Sequence, residues 1–238
     1  MSDQHGTGAL PSPPDPRDYP IALALETAPA AAIPSKFAIS PIPPNLNQGS
    51  SPMCVAYAVA AQRMTQQYVE HHVWRDFDEP RLYAECKVRD GLPPGTPGTY
   101  LRTGLAVAKA IGVRTMGHVD EADNRIVGYY RVPIDIDAIR ETLVRRGPIV
   151  LAMNFPGSWF ATSKDGNPPA PAGADYGHAV MGTAYDDAHV NPRGTRGALL
   201  IRNSWSRRWG SLGNLWAPYH YVPHLVYEIW WAQDRRDA

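Results

Sequence analysis

The sequence predicts an α+β fold in two lobes, with helices in the first half of the chain and strands in the second. Three observations predict it. From Met53 to Glu79 there is neither glycine nor proline, and Tyr57, Ala61, Met64 and Tyr68 recur on one face at helical spacing. Alanines and leucines repeat at the same spacing over residues 100–111, ahead of Gly112. After Gly147-Pro148 the pattern becomes short apolar runs bounded by turn residues, at 148–154, 178–185 and 198–203. Helices and strands segregated in this way imply separate packed layers, not alternating βαβ units.

Each element has its local reason. Residues 1–20 carry five prolines and few large apolar groups, so they read as a flexible, poorly ordered tail. The stretch around Ile33–Pro41 reads as extended, and Pro41, Pro43 and Pro44 keep the chain non-helical. Ser50-Ser51-Pro52 is a helix-start signal, a hydroxyl N-cap with proline in the first turn. Cys54 is therefore expected in the first turn of a long, mostly buried helix. Further helices are expected at 79–89, 100–111 and 136–146, the last ending at Gly147-Pro148. The catalytic domain is expected over 33–238, with a helical lobe at about 48–130 and a β lobe at about 131–222.

Four polar residues in fixed order suggest chemistry: Gln48, Cys54, His178 and Asn203. A thiol with a pKa of about 8.5 is mostly neutral at pH 7, but a helix N-terminus and a neighbouring imidazolium can lower it to about 3–4. Cys54 has the first of these locally, and His178 is a candidate for the second. Gly177 allows close backbone approach, and Ala179-Val180 reads as entry to a buried strand, placing the imidazole at a strand edge. Asn203 closes an apolar run, and its amide is suited to fix the tautomer of His178. Trp205 and Trp209 would cover that bond. Gln48 offers a side-chain N–H as an oxyanion donor, of a kind worth about 3–4 kcal/mol when removed. Singly, each has a bland reading: a buried thiol, a satisfied histidine, a strand-closing asparagine, a loop glutamine. Their order, spacing and settings give them weight together.

Those settings resemble the papain-like cysteine peptidases, over about Ile33 to Trp231. Gln48-Gly49 lies six residues before Cys54, His178-Ala-Val follows far downstream, and Asn203-Ser-Trp205 continues to Trp209-Gly210 and Gly213. The ending, from Leu215 to Trp230, is more similar to bacterial or viral members. The resemblance implies a papain-like two-lobed fold, a helical lobe carrying the nucleophile helix packed against a β-barrel-like lobe, with the cleft between them. It implies Cys54 as nucleophile, His178 as base and acid, Asn203 as its orienter and Gln48 in the oxyanion hole. It also implies substrate contacts at Gly98, Gly177 and Trp205, a polypeptide substrate, and no metal or organic cofactor.

Departures are visible around the nucleophile. Ser51, Pro52, Met53 and Val55 stand where the family has Cys, Gly, Ser and Trp. Loss of the first cysteine removes a family disulfide, and Ser206 replaces a glycine after Asn-Ser-Trp. The chain before Gln48 is too short for the family's long inhibitory propeptide, and the tail is instead expected to lie over the cleft. The leading expectation is an endopeptidase working through a Cys54 thioester. A transpeptidase or ligase using the same intermediate, and a papain-fold protein that binds peptide without cutting, are the alternatives.

Composition excludes other classes. The 238 residues, 44% apolar, suffice for one large domain or two joined lobes. Lys+Arg and Asp+Glu are both 23, and no basic run suggests nucleic acid or a membrane surface. Two cysteines make no disulfide framework, and no secretory leader pattern opens the chain, so a cytoplasmic location is expected. Cys86, between Glu85 and Lys87, reads as a partly exposed bystander; His71-His72 reads as a solvated helix end. His220 and His224 have metal-like spacing, but Pro223 argues against a helix there and no carboxylate or thiol joins them.

Overall fold

The computed structural model describes residues 5–26, 31–116 and 124–234. Its elements are β1 (Ala9–Leu10), α1 (Ala22–Leu25), β2 (Lys36–Ala38), α2 (Cys54–His71), α3 (Glu79–Arg89), β3 (Thr99–Tyr100) and α4 (Leu101–Ala110). They continue with β4 (Gly128–Val132), α5 (Ile136–Arg146), β5 (Ile149–Pro156), β6 (Asp175–Val190), β7 (Arg196–Arg202), β8 (Asn214–Pro218), α6 (Val222–Leu225) and β9 (Val226–Gln233).

The uninterrupted run after Met53 forms α2, and from Cys54 to Gln67 every residue but Tyr57 is buried. Such all-round burial suits a helix at the centre of a fold. Its polar residues bolt it to the sheet: Gln62 donates to the Pro148 carbonyl at 2.7 Å, Gln66 to that of Ala232 at 2.7 Å, and Arg63 pairs with Asp234 at 2.9 Å. The start differs from the Ser-Ser-Pro reading. Met53 is the N-cap and supplies no side-chain bond, while the Ser51 hydroxyl turns back to the Gln48 carbonyl at 2.7 Å. At the other end His72 takes a left-handed conformation, φ 55°, and its N–H closes on the Tyr68 carbonyl. Helices α3 and α5 are capped by Asp78 and Asp135 and carry basic residues in their last turns, as the dipole favours.

Seven strands form one sheet in the order β4-β9-β5-β6-β7-β8, with β2 against the second half of β6. All neighbouring pairs are antiparallel. The sheet thus reaches beyond 131–222, since Lys36 pairs with Asp186 and Glu228 with Ala152. Only long-range pairing recruits these segments; β9 has the continuous apolar run Ile229–Ala232, which periodicity alone does not assign.

The core has two clusters. Val55, Val59, Met64, Leu82, Leu101 and Leu105 pack among the helices, and Ile139, Leu143, Leu151, Phe155, Trp159 and Trp231 pack on the sheet. Cys86 belongs to the first cluster and is fully buried. The expected partial exposure is wrong because Glu85 and Lys87 lie about 100° to either side of it on the helix, leaving Cys86 one turn below buried Leu82. Pro223 sits in the first turn of the short α6, and no group of three or more metal-binding side chains occurs among the described residues. No described helix is long and apolar enough to cross a membrane.

The tail also differs from expectation. Residues 1–4 lie outside the described residues, but 5–20 follow a defined path, and β1 pairs in parallel with β3. Its few apolar groups give no reason for order; its backbone hydrogen bonds to the rest of the chain do.

Candidate active site

Cys54 opens α2, and His178 stands on β6 opposite Met153 of β5. Asn203 follows β7 directly, so strand pairing brings it to His178. The His178 Nε2 and Asn203 Oδ1 lie 2.8 Å apart, and Oδ1 also accepts the Ser204 N–H at 2.8 Å. Nε2 is therefore the protonated nitrogen, and in the neutral ring Nδ1 holds the lone pair. Nδ1 is buried without a hydrogen-bond partner among the described residues. Trp205 lies flat on the imidazole, ring centres 4.5 Å apart, and Phe155 meets it edge-on at 5.3 Å. Trp209 stands against Trp205 and Phe155.

Burial sets the protonation of both groups. It pushes the Cys54 thiol up to about 12, against the opposing pull of the backbone N–H groups of Ala179, Val55, Ala9 and Cys54 itself. The Ala179 contribution brings the thiol beside the residue that follows His178. Burial also lowers His178 to about 4; the Asn203 bond raises it and His5 lowers it further. Burial thus favours the neutral form of both thiol and imidazole.

The tail packs over this site and meets Cys54 through the Ala9 N–H. The Gly6 N–H donates to the Gly49 carbonyl at 2.8 Å, and the Trp205 indole N–H donates to the Gly6 carbonyl at 2.9 Å. His5 stacks on the outer face of Trp205 at 4.6 Å. The Gly8 N–H donates to Gly177 at 2.7 Å, Thr99 donates to the Gly8 carbonyl at 2.9 Å, and the Tyr227 hydroxyl donates to the Ala9 carbonyl at 3.0 Å. Ser12 then bonds Glu228 at 3.1 Å, and Arg102 holds Asp18 at 3.2 Å. The fit depends on glycine on both sides. A Cβ on Gly6 would lie 2.0 Å from the Ser51 carbonyl oxygen; one on Gly98 would lie 2.0 Å from that of Gly8, and one on Gly177 would lie 1.9 Å from that of Ala9.

Gln48 is buried nearby, but its amide is engaged. Nε2 donates to the Ser51 carbonyl at 2.8 Å and Oε1 accepts the Ser204 hydroxyl at 2.5 Å. Of the residues read from the sequence, Cys54, Gly98, Gly177 and Trp205 meet the strap, His178 and Asn203 join under Trp205, and Gln48 bonds Ser51 and Ser204 beside them. Sequence reasoning missed Thr99, Tyr227, Ser204 and the strap glycines. The Gly6-Thr-Gly8 pair was a visible signal for the last.

Residues 108–218 match the model of the papain family cysteine proteases, a span containing His178 and Asn203. No curated protein matches the chain. Among solved structures, the chain is similar to xylellain, a cysteine protease from Xylella fastidiosa, at 23% identity over 98% of this chain and 97% of that one, TM-score 0.78. The Amb a 11 cysteine protease, a ragweed pollen allergen in its proform, aligns at 19% identity over 89% and 70% of the two chains, TM-score 0.69. The bromelain protease of Ananas comosus, in complex with the E64 inhibitor, aligns at 16% identity over 85% and 100%, TM-score 0.66. By the match over 108–218 and by the fold of the described chain, this protein resembles the papain-like cysteine peptidases and has their α+β fold.

Proposed function

We propose that the protein is a cysteine peptidase held in a closed state by its own N-terminal strap. The observation that carries the reading is the tautomer at His178: Nε2–H is tied to Asn203, which leaves the lone pair on a buried, unpartnered Nδ1, while the Cys54 thiol meets the backbone N–H of Ala179, the residue after His178. In turnover Nδ1 takes the Cys54 proton as Sγ attacks the scissile carbonyl carbon. The oxyanion takes the Cys54 N–H and, once it leaves Ser51, the Gln48 amide. His178 returns its proton to the departing amine, leaving a thioester. Water then attacks with His178 as base, the acid product leaves, and the thiol is restored.

The same reading gives the cleft a direction. The departing amine must lie by His178 and hence at the Trp205 end, so a substrate runs from the Thr99 end toward Trp205. The strap runs the other way, from Gly6 at Trp205 to Ala9 at Thr99. It offers Cys54 the Ala9 N–H, while the Gly6, Gly8 and Ala9 carbonyls are engaged elsewhere. A strap in that sense blocks the thiol and escapes cleavage. The similarity to a protease solved in its proform supports this.

The test is hydrolysis of a mixed peptide library by the full chain, by a form lacking residues 1–20, and by Cys54→Ala in each. Activity is expected to rise on deletion and to vanish with Cys54→Ala. Retained turnover in Cys54→Ala rejects the peptidase, and an unchanged rate on deletion rejects the inhibitory strap.

A further inference from the structure

The docking edge β3 is only two residues long, and among the described residues its sole strand partner is the strap itself. No further strand among the described residues holds its backbone in place. The support comes instead from the end of α3. The Gly98 N–H donates to the Tyr83 hydroxyl at 3.0 Å, and Lys87 Nζ donates to the Gly98 carbonyl at 3.0 Å. Lys87 is itself held by Asp90 at 2.7 Å. The same carboxylate accepts the Thr99 hydroxyl at 3.0 Å and the Leu92 N–H at 3.0 Å. The Asp90 side chain is fully buried, and that of Lys87 is partly buried. Both backbone groups of Gly98 are thereby tied to α3, which turns the Thr99 N–H toward the Gly8 carbonyl.

We propose that Tyr83, Lys87 and Asp90 are positioning residues for peptide binding, a polar brace that pre-orders the Gly98–Thr99 edge so that any extended chain in the cleft can pair with it. A carboxylate buried among three donors is stable only while they stay in place, so the brace has essentially one geometry. An edge ordered in advance spares the bound chain the cost of ordering it. Loss of the brace is therefore felt in occupancy of the cleft, and so in access to the thiol, not in the thiol's own chemistry once the strap is off. For the strap this follows from the structure alone; for a substrate it rests on the peptidase reading above.

The test uses the full chain and iodoacetamide, with each thiol followed by peptide mass spectrometry. Cys54 lies under the strap and reports its opening; Cys86 is buried in α3 beside the brace and reports unfolding. Asp90→Ala is expected to speed Cys54 alkylation about tenfold, as loss of about 1.4 kcal/mol of strap binding would, with Cys86 unchanged. Tyr83→Phe, the milder variant, moves Cys54 in the same direction, and Lys87→Arg, which keeps the ion pair, stays near the parent. An unchanged Cys54 rate in both Asp90→Ala and Tyr83→Phe overturns the proposal. So does a parallel rise of Cys54 and Cys86, which marks a merely structural role. If Cys54 alone responds yet no form hydrolyses peptides, the brace stands and the peptidase reading falls.

Discussion

His178 donates from Nε2 to Asn203 Oδ1 across 2.8 Å, while Trp205 covers the ring that makes this bond. The pair is buried, with His178 at 0% and Asn203 at 3% exposure, so neither side chain has water as a substitute partner. That makes it the least replaceable contact in the cleft.

Asn203→Ala should therefore cost both stability and rate. It strands the His178 Nε2–H and the Ser204 N–H, and each buried donor left unpaired costs about 1–3 kcal/mol. The imidazole loses its fixed tautomer, and peptide hydrolysis by a strap-free form should fall by about a hundredfold, within the range general acid–base catalysis supplies. Steady-state kinetics beside chemical denaturation check both; an undiminished rate would show that Asn203 only packs.

The strap predicts an activating substitution. Gly6→Ala brings a methyl group to within 2.0 Å of the Ser51 carbonyl oxygen, which is backbone and cannot step aside. The strap should lift at that point, and the full chain should show faster Cys54 alkylation and faster peptide hydrolysis. A synthetic peptide of residues 1–20 should inhibit the variant, and the same peptide carrying Gly8→Ala, with its Cβ close to the Gly98 and Pro52 backbone, should inhibit it less.

Protonation sets an acid limit to the closed state. The folded His178 pKa lies at about 4, below the ordinary 6.5, because burial disfavours the charged ring. A depressed folded value means that its contribution is complete above pH 6.5 and is lost as pH falls through about 4. The difference is about 3 kcal/mol in all. Stability measured from pH 7 to pH 4 should fall less steeply in His178→Gln than in the parent; identical slopes would assign the acid loss to other groups. Cys54 has the opposite sign: raised to about 12 by burial, its contribution is complete below about 9 and disappears as pH climbs toward 12.

The bolt between α2 and the sheet predicts a loss of stability with no catalytic meaning. Asp234→Ala leaves Arg63, which is 0% exposed, as a buried cation without its carboxylate, at a cost of about 3–5 kcal/mol. Urea denaturation measures it. The strap-free rate per folded molecule should not change, which separates this substitution from those in the cleft.

Much of this molecule was legible one segment at a time. Helices α3, α4 and α5 follow from periodicity and, for α5, from Gly147, and each lies within a residue of its expected span, while α2 starts at Cys54 as expected and ends at His71, short of the Gly- and Pro-free run to Glu79. The order of Gln48, Cys54, His178 and Asn203 needed only their settings, since each setting is a short stretch with a local job. The Ser50-Ser51-Pro52 signal was misleading, because Met53 takes the N-cap position and the Ser51 hydroxyl donates to the Gln48 carbonyl instead of accepting a helix N–H.

Sequence by itself determined which chemical groups exist and which local elements carry them, because propensity, turn chemistry and spacing act over a few residues. Tertiary structure alone decided their state. It placed Cys86 in the core, took Lys36–Ala38 and Val226–Gln233 into the sheet, and laid residues 5–10 along the cleft. The last of these favours a neutral thiol and a neutral imidazole over the expected thiolate–imidazolium pair. The reason is physical: ionisation depends on solvent, and the chain that excludes solvent from Cys54 comes from far away in sequence, held by hydrogen bonds to Gly177, Thr99 and Tyr227 that no local pattern records.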